Sequence, residues 1–299
     1  MKFLRNLIII LVVISVGWYL KNTLLKEDVD TPVRGLSANA DKEQITEQVK
    51  SFSISGFSDL GKKTWEMEGK SANIFSDVID LTDINADSYG DQVKVNLKAD
   101  AGVFDRATNS VELRKNVIIV TDEGTRLTTE VLNWDATKEL VHTDEHVFIQ
   151  RKDMDITGTG ASAKPDLKIA QIDKDVSVDV KDPPALITCD GPLEVDYDKS
   201  VAYFNNNVKL IDKDTTINTD KATAYFDSKE KVLKKILCEG NVTITRGRDS
   251  TYAEILTYLP GEGRVLLEGR PKIIIRDTEE LMQRSKEKKN EQVKDSKSG

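Results

Sequence analysis

A small polar residue followed by Val recurs along this chain, at Val117, Val147, Val176, Val208 and Val242, spaced 30, 29, 32 and 34 residues apart. The residues before them are Asn116, His146, Asp175, Asn207 and Asn241. Two positions after each Val stands Ile119, Ile149, Val178, Leu210 or Ile244. A period of this size belongs to stacked architectures, in which no unit buries its apolar face alone. Alternation inside each copy predicts β-strand with one face buried. Nine or ten residues after the Val comes a further aliphatic residue, Leu127, Ile156, Leu186 or Ile217, on the strand that returns. Aromatic residues then lead into polar turns: Trp134 before "DATKE", Tyr225 before "DSKE" and Tyr258 before "PGEG". The segment "DQVKVNLKAD" opens the series, with Val93, Val95 and Leu97 alternating.

The expected fold is therefore all-β: two consecutive antiparallel modules, each a sandwich or β-jellyroll, that follow one N-terminal transmembrane helix. The helix is read from "NLIIILVVISVGWYL", Asn6 to Leu20, which carries no charge and ends in Trp18 and Tyr19. Counted from Phe3, the run reaches the minimum length for a membrane span, and rings at its end suit the headgroup region. A cleaved signal is the alternative, but Ala38-Asn39-Ala40 lies almost twenty residues beyond the apolar run. Lys2 and Arg5 favour a cytoplasmic N-terminus, so the bulk of the chain is expected in the periplasm, held to the inner membrane by a single span. The expected divisions are an anchor at 1–22, a linker at 23–50 with a short helical piece in "DKEQITEQVK", one β module at 51–182, a second at 183–277, and a charged tail at 278–299. Pro183-Pro184 is expected to interrupt strand pairing and mark a hinge, because neither can donate a backbone hydrogen bond.

Composition narrows the function. With 38% hydrophobic and 31% charged residues the chain can build cores. A net charge of -8 gives it no basic footprint for nucleic acid. His142 and His146 have helical metal spacing but lie in strand sequence without a third ligand. Asp83, Asn85 and Asp87 begin like a calcium loop, yet Ser88 and Lys94 stand where that loop needs Gly and Glu, so the segment reads as a solvated turn. No carboxylate pair, nucleophile or phosphate loop emerges, so neither an enzyme nor a cofactor is expected. Cys189 and Cys238 occupy matching spots in "TCDG" and "LCEG"; a separation of two strands, about 10 Å, would keep them free thiols.

What remains is the apolar inner face, read either as closed core or as a groove left open along one side. Here the sequence resembles a known family. The N-terminal span, "FSISGFSDLGKKTWEMEGKSANIF" and "KADAGVFDRATNSVELRKNVIIVTDEGTRLTTEVLNWD" are similar to the LptC family, the membrane-anchored periplasmic component of lipopolysaccharide export. The second module, from "CDGPLEVDYDKS" to "LCEGNV", is similar to the OstA-like (LptA) domain, the periplasmic bridge of the same machine. The resemblance implies a membrane-anchored lipid-transfer protein that accepts lipopolysaccharide from an inner-membrane ABC transporter and passes it along an apolar groove toward the outer membrane. It also implies a bridge protein as a further partner, through strand edges near Ile273, Ile274 and Ile275. Alternation assigns the acyl-chain groove to Val93, Val95, Leu97, Val117, Ile119, Leu127, Val147, Ile149 and Ile156 in the first module. In the second it assigns Val208, Leu210, Ile217, Val242 and Ile244. The competing reading is a periplasmic scaffold with a closed core and no lipid groove.

Overall fold

The structure, a computed structural model, describes residues 47–57, 63–89, 94–122, 124–135, 137–138, 140–164, 168–182, 184–227 and 233–275. The expected membrane anchor, most of the linker, the charged tail and Val93 lie outside the described residues. The strands of the N-terminal half are β1 (Glu47–Phe57), β2 (Lys63–Ile74), β3 (Val78–Tyr89), β4 (Lys94–Asp105), β5 (Ser110–Thr121), β6 (Arg126–Asp135), β7 (Leu140–Gln150), β8 (Met154–Lys164) and β9 (Ile169–Lys181). Then follow β10 (Pro184–Cys189), β11 (Leu193–Asp196), β12 (Val201–Asp212), β13 (Thr215–Phe226), β14 (Leu233–Arg246), β15 (Asp249–Leu259), β16 (Arg264–Glu268) and β17 (Lys272–Ile274). All pair antiparallel, neighbour to neighbour, in one continuous sheet. β10 and β11 lie end to end between β9 and β12, and β16 and β17 lie end to end on β15.

The repeated Asn-Val is the corner of each copy. Asn116, Asp175, Asn207 and Asn241 have φ of 50°, 54°, 51° and 48°, the left-handed region that Asn and Asp enter most readily among side-chain-bearing residues. The strand registers shift at the same places: between Arg114 and Val117, between Asn205 and Val208, and between Glu239 and Val242. An extra residue in one strand bends it and re-aims the side chains beyond. Burial shows the bend. In β5 three exposed residues, Arg114 to Asn116, separate buried Leu113 from buried Val117; in β7 Asp144 to His146 separate Thr143 from Val147. The small polar side chain also ties the corner to the next strand. Asn116 Nδ2 donates to Asp100 Oδ2 at 2.6 Å, Asn241 Nδ2 to Asp220 Oδ2 at 2.9 Å, and Asn207 to Asp190. His146 departs from the pattern and has no left-handed φ; β7 turns its corner by the register shift from Thr143 to His146 alone.

Every folded strand thus contributes to two leaves. The first leaf carries residues such as Leu113, Leu132 and Val141, and the second carries Val117, Ile119 and Ile149. Their inner faces meet in two buried clusters, one around Ile84, Leu113 and Val141, the other running from Val147 to Leu256. The Val of each copy sits deepest, at the corner: Val117, Val147, Val176, Val208 and Val242 are 0–2% exposed.

Several expectations are corrected. Pairing is not interrupted at Pro184: it opens β10 opposite Lys181, and the β9–β10 ladder runs on to Cys189 opposite Val176. A proline at the first residue of a strand need not donate into the ladder. Instead of a helical piece in "DKEQITEQVK", residues 47–50 already belong to β1, which pairs antiparallel with β2. Asp83, Asn85 and Asp87 are not in a turn but within β3, where Asp83 takes the left-handed corner and Asn85 and Asp87 accept from Asn96 Nδ2. Both cysteines are free and buried, but β12 and β13 intervene between their strands, so they are three strand steps apart rather than two.

Candidate functional site: an apolar seam between two leaves

The strand registers align the inward aliphatic residues of the second leaf into one unbroken row. It begins at Ile54 and passes through Met67, Ala86, Leu97, Ile119, Leu127, Ile149, Ile156 and Val178. It then crosses from β9 to β10 at Ile187 and continues through Leu210, Ile217 and Ile244. Twelve strand steps of about 4.8 Å make this row about 58 Å long, measured across the sheet. Of the residues assigned from sequence, Leu97, Ile119, Leu127, Ile149, Ile156, Leu210, Ile217 and Ile244 lie in it. Val117, Val147, Val208 and Val242 lie one row deeper, at the corner, and Val95 one row nearer the rim. Leu97, Ile119, Ile149 and Ile156 are buried at 2–6% exposure, whereas Leu210, Ile217 and Ile244 are half-buried. At the row's outer limits Ile54 is 51% exposed, and Ile273, which follows Thr251 opposite Ile244, is 64% exposed.

Sequence reading missed Ile54, Met67, Ala86, Val178 and Ile187 as members of this row. Val178 was legible, since it follows Val176 as Ile119 follows Val117. Leu186, the aliphatic residue ten after Val176, is not the member of the row: it pairs with Asp179 and Ile211, and Ile187 holds the position. In a strand a one-residue difference moves a side chain to the other face.

The first leaf faces this bulky row with small residues: Ala161, Ala163, Ala170, Ala202, Ala222 and Ala224 align in its inward rows with Ile172, Leu193 and Phe204. Between β5 and β9 the mismatch leaves a cavity of about 50 Å³, within about 610 Å³ of atom-free space that reaches solvent. Ile119, Leu127, Val147 and Ile149 form its wall on the second leaf, and Leu132, Val141, Ala161, Ala163 and Ile172 on the first. The room comes from β8, which brings "GTGASA" where its neighbours bring Val and Ile. Gly158 itself leaves no freedom to fill that room, because a Cβ there would collide with the Ile172 side chain. Cys189 and Cys238 point into the same interior. Burial pushes the Cys238 thiol up to about 12 and raises that of Cys189 as well, so both stay neutral and act as small apolar side chains.

Opposite the corner, the hairpin turns form two lips. Their backbone hydrogen bonds run along each lip: Tyr197 donates to Lys168 and Phe226 to Ser200 on one, Asp122 to Lys94 and Lys181 to Asp153 on the other. Among the described residues no strand pairing or turn hydrogen bond ties one lip to the other. Basic residues stand on both lips, each beside a carboxylate: Lys138 with Asp135 and Lys168 with Asp198 at 2.8 Å, Arg246 with Asp214 at 2.8 Å, Lys181 with Asp155 at 3.1 Å. Such exposed pairs add little stability. Among the described residues no group of ligands that could hold a metal forms around His142 and His146.

The family described as "Lipopolysaccharide-assembly, LptC-related" matches residues 7–180. This chain belongs to that family. A second match, to the family described as "LptA/(LptD N-terminal domain) LPS transport protein", takes residues 190–291. Both are families of lipopolysaccharide transport rather than of enzymes, and the LptC-related chain described here takes part in that transport. The two matches meet at β10, the strand through which the aliphatic row passes from one segment to the other. One solved structure with likeness to the chain is the crystal structure of LptH, the LptA homologous periplasmic component of the conserved lipopolysaccharide transport device from Pseudomonas aeruginosa. It shares 13% identity over 61% of this chain and 94% of that one, and a TM-score of 0.19 gives the likeness no weight. No curated protein matches the sequence.

Proposed function

We propose that the seam is a lipid conduit: the chain accepts lipopolysaccharide from an inner-membrane ABC transporter and passes its acyl chains along the aliphatic row, toward the outer membrane. In this reading residues 1–22 anchor the chain in the inner membrane and the two β modules, of jellyroll type, lie in the periplasm. The observation that carries it is the unbroken row from Ile54 to Ile244, which continues across the junction of the two family segments. Each methylene brought out of water is worth about 0.8 kcal/mol, so a lipid with several chains needs such a track wherever it crosses an aqueous space. Lips without mutual hydrogen bonds let sugars and phosphates stay outside while acyl chains travel within. The exposed limits of the row, Ile54 at the β1 edge and Ile273 near the β17 edge, are where the track meets the transporter and a bridge protein, by strand addition.

The test places a photo-crosslinking residue at Ile119, Ile149, Ile217 or Ile244 in the full-length chain in cells, with Ile118 as the alternate, outward-facing control. Lipopolysaccharide adducts at the inward positions and none at Ile118 are expected. Silence at all four inward positions rejects the conduit and leaves a scaffold with a closed core.

A further inference from the structure

Trp65 is 7% exposed, yet among the described residues its indole Nε1 has no hydrogen-bond partner. A buried N–H left unpaired is costly, and a Trp nitrogen buried in protein ordinarily finds an acceptor. The position of this one is informative. Trp65 alternates with Met67, so it points to the same inner face, one row nearer the rim than the aliphatic row. Its register partners are Ser88 on β3, then Val95 on β4, then Thr121 at the end of β5. Thr121 is itself buried and lines the rim of the cavity. The row is thus the boundary between the apolar interior and the lip. An acyl chain lying along Met67, Leu97 and Ile119 would bring its carboxyl end to this boundary, about 7 Å away along the strand.

The geometry points to Trp65 as a binding residue whose indole N–H donates to the ester or amide carbonyl that joins an acyl chain to its sugar. Trp65 lies on β2, next to the β1 edge, so the carbonyl is met at the start of the track. The inference rests on the conduit reading and adds to it a polar contact that fixes how deep each chain inserts. Lipid supplies the acceptor, so the bond belongs to the loaded state.

Trp65→Phe keeps one aromatic ring, smaller than the indole, and removes the donor. In full-length chains in cells, crosslinking of lipopolysaccharide from Ile119 is expected to fall about three- to tenfold, the worth of one neutral hydrogen bond. The melting temperature is expected to change little, since the gap left by the smaller ring opposes the relief of an unpaired donor. Undiminished crosslinking overturns the inference, and so does a fall that accompanies a matching loss of melting temperature, which would make Trp65 a packing residue. With full-length chains in lipid nanodiscs, the Phe substitution should weaken binding of lipid A equally with and without its phosphates. A defect that vanishes on dephosphorylation would assign the donor to a phosphate instead. If the unsubstituted chain itself gives no adduct at Ile119 or at any other inward position, it is the conduit reading that fails.

Discussion

Replacing Ala161 with Leu tests whether the space between the leaves is used. Ala161 lies on β8, in register with Thr143 and Ile172, and lines the cavity of about 50 Å³. Leu adds three carbons to the side chain. Filling that volume recovers about 1.2 kcal/mol at roughly 24 cal/mol per Å³, against about 1–3 kcal/mol for crowding a packed interior. Stability should therefore change by no more than about 2 kcal/mol in either direction. The effect on a lipid is larger. Three methylenes of an acyl chain lose their place, at about 0.8 kcal/mol each, which makes about 2.4 kcal/mol and roughly sixty-fold weaker occupancy. Crosslinking from Ile119 in cells reads occupancy, and a thermal melt of the same protein reads the fold. Crosslinking equal to that of the parent, with the melt unchanged, would refute the claim that acyl chains enter this space.

Three further outcomes are expected. At the corner, Asn241→Gly should be nearly neutral, because relief of the left-handed backbone offsets the lost bond to Asp220, whereas Asn241→Ala should cost about 1–2 kcal/mol and Asn241→Val more; urea unfolding that ranks Val best would refute the corner assignment. The Cys238 thiol is raised to about 12 in the folded chain from an ordinary value near 9, so its contribution to stability is complete below about pH 9 and is lost as the pH climbs toward 12. Cys238→Ala should flatten that part of a pH–stability profile, and identical slopes would show that the thiol is not sealed in. At the junction, Ile187→Asp should leave lipopolysaccharide adducts at Ile119 but abolish them at Ile244; equal adducts at both would mean that the row is not the path.

Much of the fold was legible because it is periodic. A Val every thirty or so residues, with alternation around it, could bury a face only by stacking strands, and those valines are among the most buried residues of the interior. The Asn before the Val was visible as a pattern but not as a mechanism, since its left-handed backbone and its bond to an Asp on the adjacent strand require the pairing. The cavity was illegible for a related reason. "GTGASA" on β8 reads as an undistinguished strand until the packing of the two leaves sets Ala161 and Ala163 across the cavity from Ile119, Ile149 and Val147. Trp65 was noticed only as part of "GKKTW", because an unpaired buried donor is a property of its surroundings and not of its neighbours in sequence. The proline pair at 183–184 misled, because local chemistry that forbids a ladder position is harmless at a strand's first residue.

For the proposed conduit, continuity at the junction matters more than the number of modules. Two β modules joined by a flexible linker would each end in a free edge, and an acyl chain leaving one would meet water before the next. In this chain β10 and β11 pair on one side with β9 and on the other with β12, so the last strand of the LptC-related segment and the first long strand of the LptA-like segment share a neighbour. The strand between them breaks at its corner, at Asp190-Gly191-Pro192, and three consecutive asparagines hold that break. Asn205 Nδ2 donates to the Pro192 carbonyl at 3.0 Å, Asn206 Nδ2 to the Gly191 carbonyl at 2.7 Å, and Asn207 pairs with Asp190. With the corner pinned, register on the second leaf is fixed, and Ile187 falls between Val178 and Leu210. A slip of one residue would turn Leu186 inward and Ile187 outward and would displace the row against every strand that follows. The polar stitching at the corner is thus what keeps the aliphatic row in line on the second leaf.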